Sequence, residues 1–263
     1  MTPPHPRSAA AVGLHQFRFD LRALVRNRQA QFFTLALPVM FLVIFASIFT
    51  GTVKVSGGRI DSSVSYVPGI MTLGIIAAAF INLTVSVTAQ RETGVLKRRR
   101  ATPVPAFSLI AGRSLAAVVT AVATSVLLLV IGWAGFHAHV PARTAPALAL
   151  TVLVGTISFC CLAYAVASFI HDQDSAQPVT QGVMLPLYFI SGVFVAVDQL
   201  PHWLVNVADV FPVRHLAAAL LVAYNPHTTG AGFAGTDLLI VAAWGVAGLL
   251  VALRRFSWVP RGH

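Results

Sequence analysis

Acidic side chains are scarce in this sequence: eight in 263 residues, with Glu92 the sole glutamate, and charged residues of both signs make up only 10%. A soluble domain carries about 25%, and 57% of this chain is hydrophobic. The composition is that of an integral membrane protein. With one glutamate there is no His-Glu-x-x-His zinc helix, and none of the nine histidines falls in the middle of an apolar run, so membrane acid–base or zinc chemistry has no parts. Lysine is rarer still. Lys54 follows Val53 and Lys97 follows Leu96, so no Gly-Lys-Ser/Thr phosphate loop exists. The only two cysteines, Cys160 and Cys161, are neighbours inside an apolar run, where small side chains pack and adjacent residues rarely bridge. His137 and His139 share a short polar stretch without a third ligand beside them, so a metal site is not expected.

What is present is a series of apolar runs, and at about 20 residues per span the length holds one bundle of roughly six. The expected spans are residues 32–49 (with Pro38 bending the first), 66–89, 115–135, 148–170, 179–197 and 234–253. The first starts too late and runs too long for a signal peptide. Residues 1–30 form a tail and then an amphipathic helix. Leu14, Phe17, Leu21, Leu24 and Val25 recur at helical intervals, while Arg18, Arg22 and Arg26 line the other face toward lipid headgroups. Residues 50–65 read as an outer loop and 256–263 as a tail. Residues 198–232 are too apolar for a free loop and too broken by Pro201, Pro212 and Pro226 to span, which fits a re-entrant segment buried by protein.

The net charge of +10 is placed, not spread. Most of the Lys and Arg residues outside the runs fall before the first span, between the second and third, and after the last. That puts them on one side if the spans alternate, with both termini cytoplasmic. This distribution fits a lipid bilayer and not a nucleic acid. One turn departs from it: HDQDSAQP, residues 171–178, lies on the same side with two acids and no Lys or Arg. Ion-coupled carriers need acids or bases within the membrane. Here Asp237 and Arg113 stand only near span ends, so the energy for transport is expected from a partner protein.

The densest charge is at residues 90–105, QRETGVLKRRRATPVP. A glycine follows the acid, four bases run together, and two prolines close the segment. Arg91-Glu92-Thr93-Gly94-Val95-Leu96-Lys97-Arg98, followed by Ala-Thr-Pro-Val-Pro, resembles the cytoplasmic loop of the ATP-binding-cassette type-2 permeases, drug and antibiotic exporters of the daunorubicin-resistance kind among them. Ser191 to Phe194, Leu200 with Pro201, and Phe211 with Pro212 match the family's outer segment in order. The resemblance implies an all-α membrane fold of the type-2 exporter (ABCG-like) kind: elbow helix, six transmembrane helices in residues 31–255, and the re-entrant segment. It implies a bacterial inner-membrane permease without a nucleotide site of its own. A separate ATPase subunit would hold ATP and magnesium, a second permease would complete a dimer, and a hydrophobic or amphipathic substrate would move outward. A secondary transporter and a polysaccharide or lipid exporter subunit remain the alternatives.

By the same resemblance Arg91, Glu92, Thr93, Gly94, Leu96, Lys97 and Arg98 are contacts for the ATPase, and Arg99 and Arg100 join Arg18, Arg22 and Arg26 at the membrane surface. A charged hairpin serves equally as a lipid anchor. Between the second and fifth spans, Phe80, Asn82, Ser86, Tyr188 and Phe189 are expected along the substrate path. Asn82 and Ser86 form one polar stripe at four-residue spacing and Thr84 and Thr88 a second. Helix–helix packing is the other use of such residues.

Overall fold

The structure, a computed structural model, describes residues 32–49, 51–55, 57–93, 106–136, 138–195 and 197–255. The expected N-terminal tail and amphipathic helix, most of the charged hairpin and the C-terminal tail lie outside the described residues. The first helix opens as a π turn, Phe32–Ala36, and continues as α1, Leu37–Ile48. Pro38 has no N–H to give to the turn before it, and the wider π turn lies on that side.

Residues 50–65 are more than the loop expected from the sequence. β1, Thr52–Val55, pairs antiparallel with β2, Gly58–Asp61, in the register Thr52 to Asp61 and Val55 to Gly58. β-Branched residues favour the strands, and a two-residue connection containing Gly57 at φ +89° closes the hairpin. This hairpin is the one departure from an all-α fold among the described residues.

α2, Ser62–Ile76, a buried π turn, Ala77–Ile81, and α3, Asn82–Glu92, form one continuous helix, which is the most enclosed of the bundle. The Asn82 N–H reaches back five residues to the Ala77 carbonyl, and that extra residue per turn marks the π segment. Around this axis stand α1, α4 (Ala106–Phe136), α5 (Ala145–Ala167), α6 (Gln173–Ile190) and α8 (Pro212–Tyr224). α9, Gly235–Arg255, lies along α5. Its buried stripe Val241, Gly245, Gly248 and Ala252 keeps one face at four- and three-residue steps. A Cβ on Gly245 would stand 2.8 Å from the Ser158 Cα, so glycine lets the two backbones touch.

Among the described residues four helices are long and apolar enough to cross a membrane: Val64–Glu92, Ile110–Phe136, Ala142–Ala167 and Gly235–Arg255. These coincide with the second, third, fourth and sixth expected spans. The first is represented by the shorter apolar helix Thr34–Ile48. The fifth differs most from expectation, because α6 begins at Gln173, not Val179, and its first turn is polar. α6 then ends at Ile190, seven residues before the expected end of the span. α7, His202–Ala208, and α8 meet at 97°, a geometry shared by a broken span and a re-entrant loop; counted as one span, the pair would make five.

Candidate functional site

α3 stays helical through the polar run TVSVTAQRE and stops at Thr93, whose N–H and hydroxyl both donate to the Ala89 carbonyl, at 3.0 and 2.9 Å. That places Arg91 and Glu92 on its last turn, where they meet the connection between α5 and α6. α5 closes with Ser168, its hydroxyl on the Ala165 carbonyl at 2.6 Å. α6 opens with Asp172 as its N-cap, one carboxylate oxygen accepting from the Ser175 N–H at 2.7 Å and the other from the Ser175 hydroxyl at 3.0 Å. Those bonds hold the Asp172 carboxyl below the usual aspartate range.

Arg91 is only 1% exposed. Its guanidinium donates to the Ala167 carbonyl at 2.8 Å, to the Ile170 carbonyl and, more loosely, to the His171 carbonyl at 3.4 Å. The carbonyls at a helix C-terminus lack intrahelical donors and carry the negative end of the dipole, so an arginine fork suits them in number and sign. Glu92 does the converse. Its Oε2 accepts the Gln173 N–H at 2.6 Å, at the positive N-terminus of α6. Two consecutive residues of α3 therefore satisfy the end of one helix and the start of the next. From the other side, the Arg255 guanidinium of α9 lies 5.3 Å from the centre of the Phe169 ring in the same turn. The acid-rich turn without bases, which broke the charge pattern of the sequence, receives its positive charge from α3 and α9.

Of the seven residues expected at an ATPase contact, Arg91 faces inward, Glu92 and Thr93 are exposed at the surface, and Gly94, Leu96, Lys97 and Arg98 lie outside the described residues. So do Arg18, Arg22, Arg26, Arg99 and Arg100. The five expected path residues are divided. Phe80 is buried in the π turn with its ring edge-on to Phe159, centroids 6.3 Å apart, and Tyr188 is buried beside Phe194. The Asn82 amide donates to the Thr34 hydroxyl and so ties the second helix to the first. Ser86 is exposed, and Phe189 is 49% exposed. Thr84 and Thr88 turn into the core, Thr84 toward the Ala163 carbonyl of α5 at 3.4 Å.

At the other end of the bundle the chain leaves α6 through Ser191 and Gly192, the latter at φ +84°. A Cβ on Gly69 would stand 2.6 Å from the Val193 carbonyl oxygen, so this turn is seated against α2. It delivers Phe194 into a cluster with Phe41, Phe45, Tyr188 and Phe189, centroids 5.1 to 6.1 Å away. Beside the 97° bend, His215 of α8 bridges two acceptors, Asp237 Oδ1 at 2.7 Å and the Asp209 carbonyl at 2.8 Å. Sequence reasoning missed both groups; the Ser-Gly-Val-Phe run was the signal for the first. Among the described residues no three His, Cys, Asp or Glu residues stand together as a metal site. His139 accepts from the Trp133 indole N–H at 3.0 Å.

The family model described as ABC-2 type transporter matches residues 17–225. Over 151 residues the chain is 25% identical to the probable multidrug ABC transporter permease YbhR of Escherichia coli K12, an alignment covering 57% of this chain and 40% of that protein. Over 194 residues it is 28% identical to the daunorubicin resistance ABC transporter permease protein DrrB1 of Streptomyces coeruleorubidus, covering 70% of this chain and 64% of that protein. The matched region spans less than two thirds of either relative's own length.

Proposed function

The chain belongs to the ABC-2 type transporter family, and from that premise we propose that it is the membrane permease subunit of an ATP-binding-cassette exporter, moving a hydrophobic or amphipathic substrate outward. The observation that carries this reading is the family match over residues 17–225, which takes in the charged hairpin and the helices on either side of it. In this reading ATP and magnesium are held by an ATPase subunit that docks on residues 93–98. By the same reading α1 and α6 are the first and fifth spans, the α7–α8 bend is an outer re-entrant element, and both termini face the cytoplasm of a bacterial cell. The names of the relatives, a multidrug and a daunorubicin-resistance permease, support an amphipathic substrate. Ser86 and Phe189 are the path candidates that stand open at the surface, where a second permease would close a channel.

Mild extraction of a C-terminally tagged chain from native membranes, with intact-complex mass measurement, tests the assignment. The expected result is one phosphate-loop ATPase per permease and two permeases per particle. Isolation of the permease alone under every mild condition would overturn it in favour of an ion-coupled carrier.

A further inference from the structure

We infer that Arg91 and Glu92 are positioning residues, a two-residue staple that fastens the end of α3 to the α5–α6 turn so that the coupling hairpin and α6 move as one body. The inference rests on the exporter reading for its mechanical consequence, but the staple itself is a matter of geometry. Arg91 is enclosed, and its fork is directed at carbonyls of a different helix end, 76 to 80 residues away in sequence. Glu92 points the same way, onto a backbone amide 81 residues away. Neither bond uses a side chain of the turn. These bonds therefore depend on how α5 ends and how α6 begins.

Arg91, enclosed in this way, is not the face offered to a partner, whereas Glu92 keeps an exposed side. Thr93 and the residues after it follow directly in the chain, so the part that meets the ATPase and the part that grips the bundle are consecutive. A push on residues 93–98 reaches α3 through the helix itself, and it reaches α6 through Glu92 without first having to move α5 past α3. Lysine at 91 would bring the charge without the fork and would reach fewer of the carbonyls.

Spin labels at Gln90→Cys and Gln173→Cys, in a chain with Cys160 and Cys161 replaced by alanine, read the distance across the staple by pulsed electron resonance. The Gln173 bond runs through its backbone, so its side chain is free to carry a label. In the otherwise native complex we expect one narrow distance, the same with ATP trapped and without nucleotide. With Arg91→Ala the width at least doubles and the mean shifts on ATP trapping, while the ATPase subunit still co-purifies and its hydrolysis stays within about twofold; Arg91→Lys falls between.

A distance in Arg91→Ala as narrow as in the native chain overturns the staple, and so does loss of the ATPase subunit with the distance unchanged, which would make Arg91 a docking contact. Should Arg91→Ala fail to accumulate, Glu92→Gln is read by the same distances with the same criteria. If no ATPase accompanies even the native chain, the exporter reading fails, yet the distances in detergent still decide whether the staple exists.

Discussion

At the charged end of the bundle one guanidinium and one carboxylate reach three carbonyls and an amide more than seventy residues away, whereas at the other end Phe194 meets Phe41, Phe45, Tyr188 and Phe189 through ring faces and edges alone. The first arrangement depends on particular atoms. Remove the guanidinium and the buried Ala167 and Ile170 carbonyls lose their shared donor at once. The second depends on filled volume, so loss is graded by how much is removed and how well neighbours collapse. One end thus behaves as a catch and the other as a gasket.

The largest effect is expected where the catch is broken without changing its bulk. Arg91→Met keeps a long side chain and removes the fork. Hydrogen bonds to charged groups contribute about 1.5–3 kcal/mol each, so we expect a loss of roughly 3 kcal/mol or more. Hydrogen exchange should report it as new opening confined to residues 168–173. Even, bundle-wide exchange would show that Arg91 supports the fold in general and that the two ends do not differ in kind.

Next in size comes the gasket. Phe194→Ala should cost about 3 kcal/mol and Phe194→Leu about 1 kcal/mol by thermal melting in detergent, with exchange spread over α1, α2 and α6. Equal costs for the two variants would mean that a specific ring contact, not filled volume, holds the Phe194 end, and the contrast with Arg91 would fail.

The sequence discloses these two ends unequally. Four of the expected spans are legible because an apolar run of about twenty residues has few other uses. The hairpin at 52–61 was legible in principle, from β-branched residues on either side of paired glycines, but its length suited a loop as well. The π turn at Ala77–Ile81 leaves no local mark, since AAAFI is compatible with any helix. Arg91 sits among five other bases from Arg91 to Arg113, and nothing nearby distinguishes the one that turns inward; its partners are backbone atoms on a segment that only folding brings near. The indirect hint was the turn at 171–178, acidic and without bases on the side where bases are the rule. Its Asp172-x-x-Ser175 spacing is a helix start, which Pro178 obscured by suggesting that the fifth span began after it. Phe194 was hidden in another way: the Ser-Gly-Val-Phe run lies inside the expected fifth span, 179–197, although α6 ends before it at Ile190.

The smallest expected effect tests whether the catch extends to the cap that opens α6. Asp172 is ionised more readily than an ordinary aspartate because the Ser175 N–H and hydroxyl bond its charged form. A carboxyl whose folded pKa is depressed contributes stability that is complete above its unfolded value, near 3.8, and that fades as pH falls through the lower folded value. The Asp172→Asn chain, which keeps an oxygen acceptor but not the charge, should therefore melt slightly below the native chain at about pH 6 and converge with it below that range. Glu92 meets the same helix start through the Gln173 N–H. If the two carboxylates share one dipole end, Asp172→Asn should lower the melting point further in a chain that already carries Glu92→Gln than in the native chain. Strict additivity of the two substitutions would place Asp172 outside the catch and limit that device to the two residues of α3.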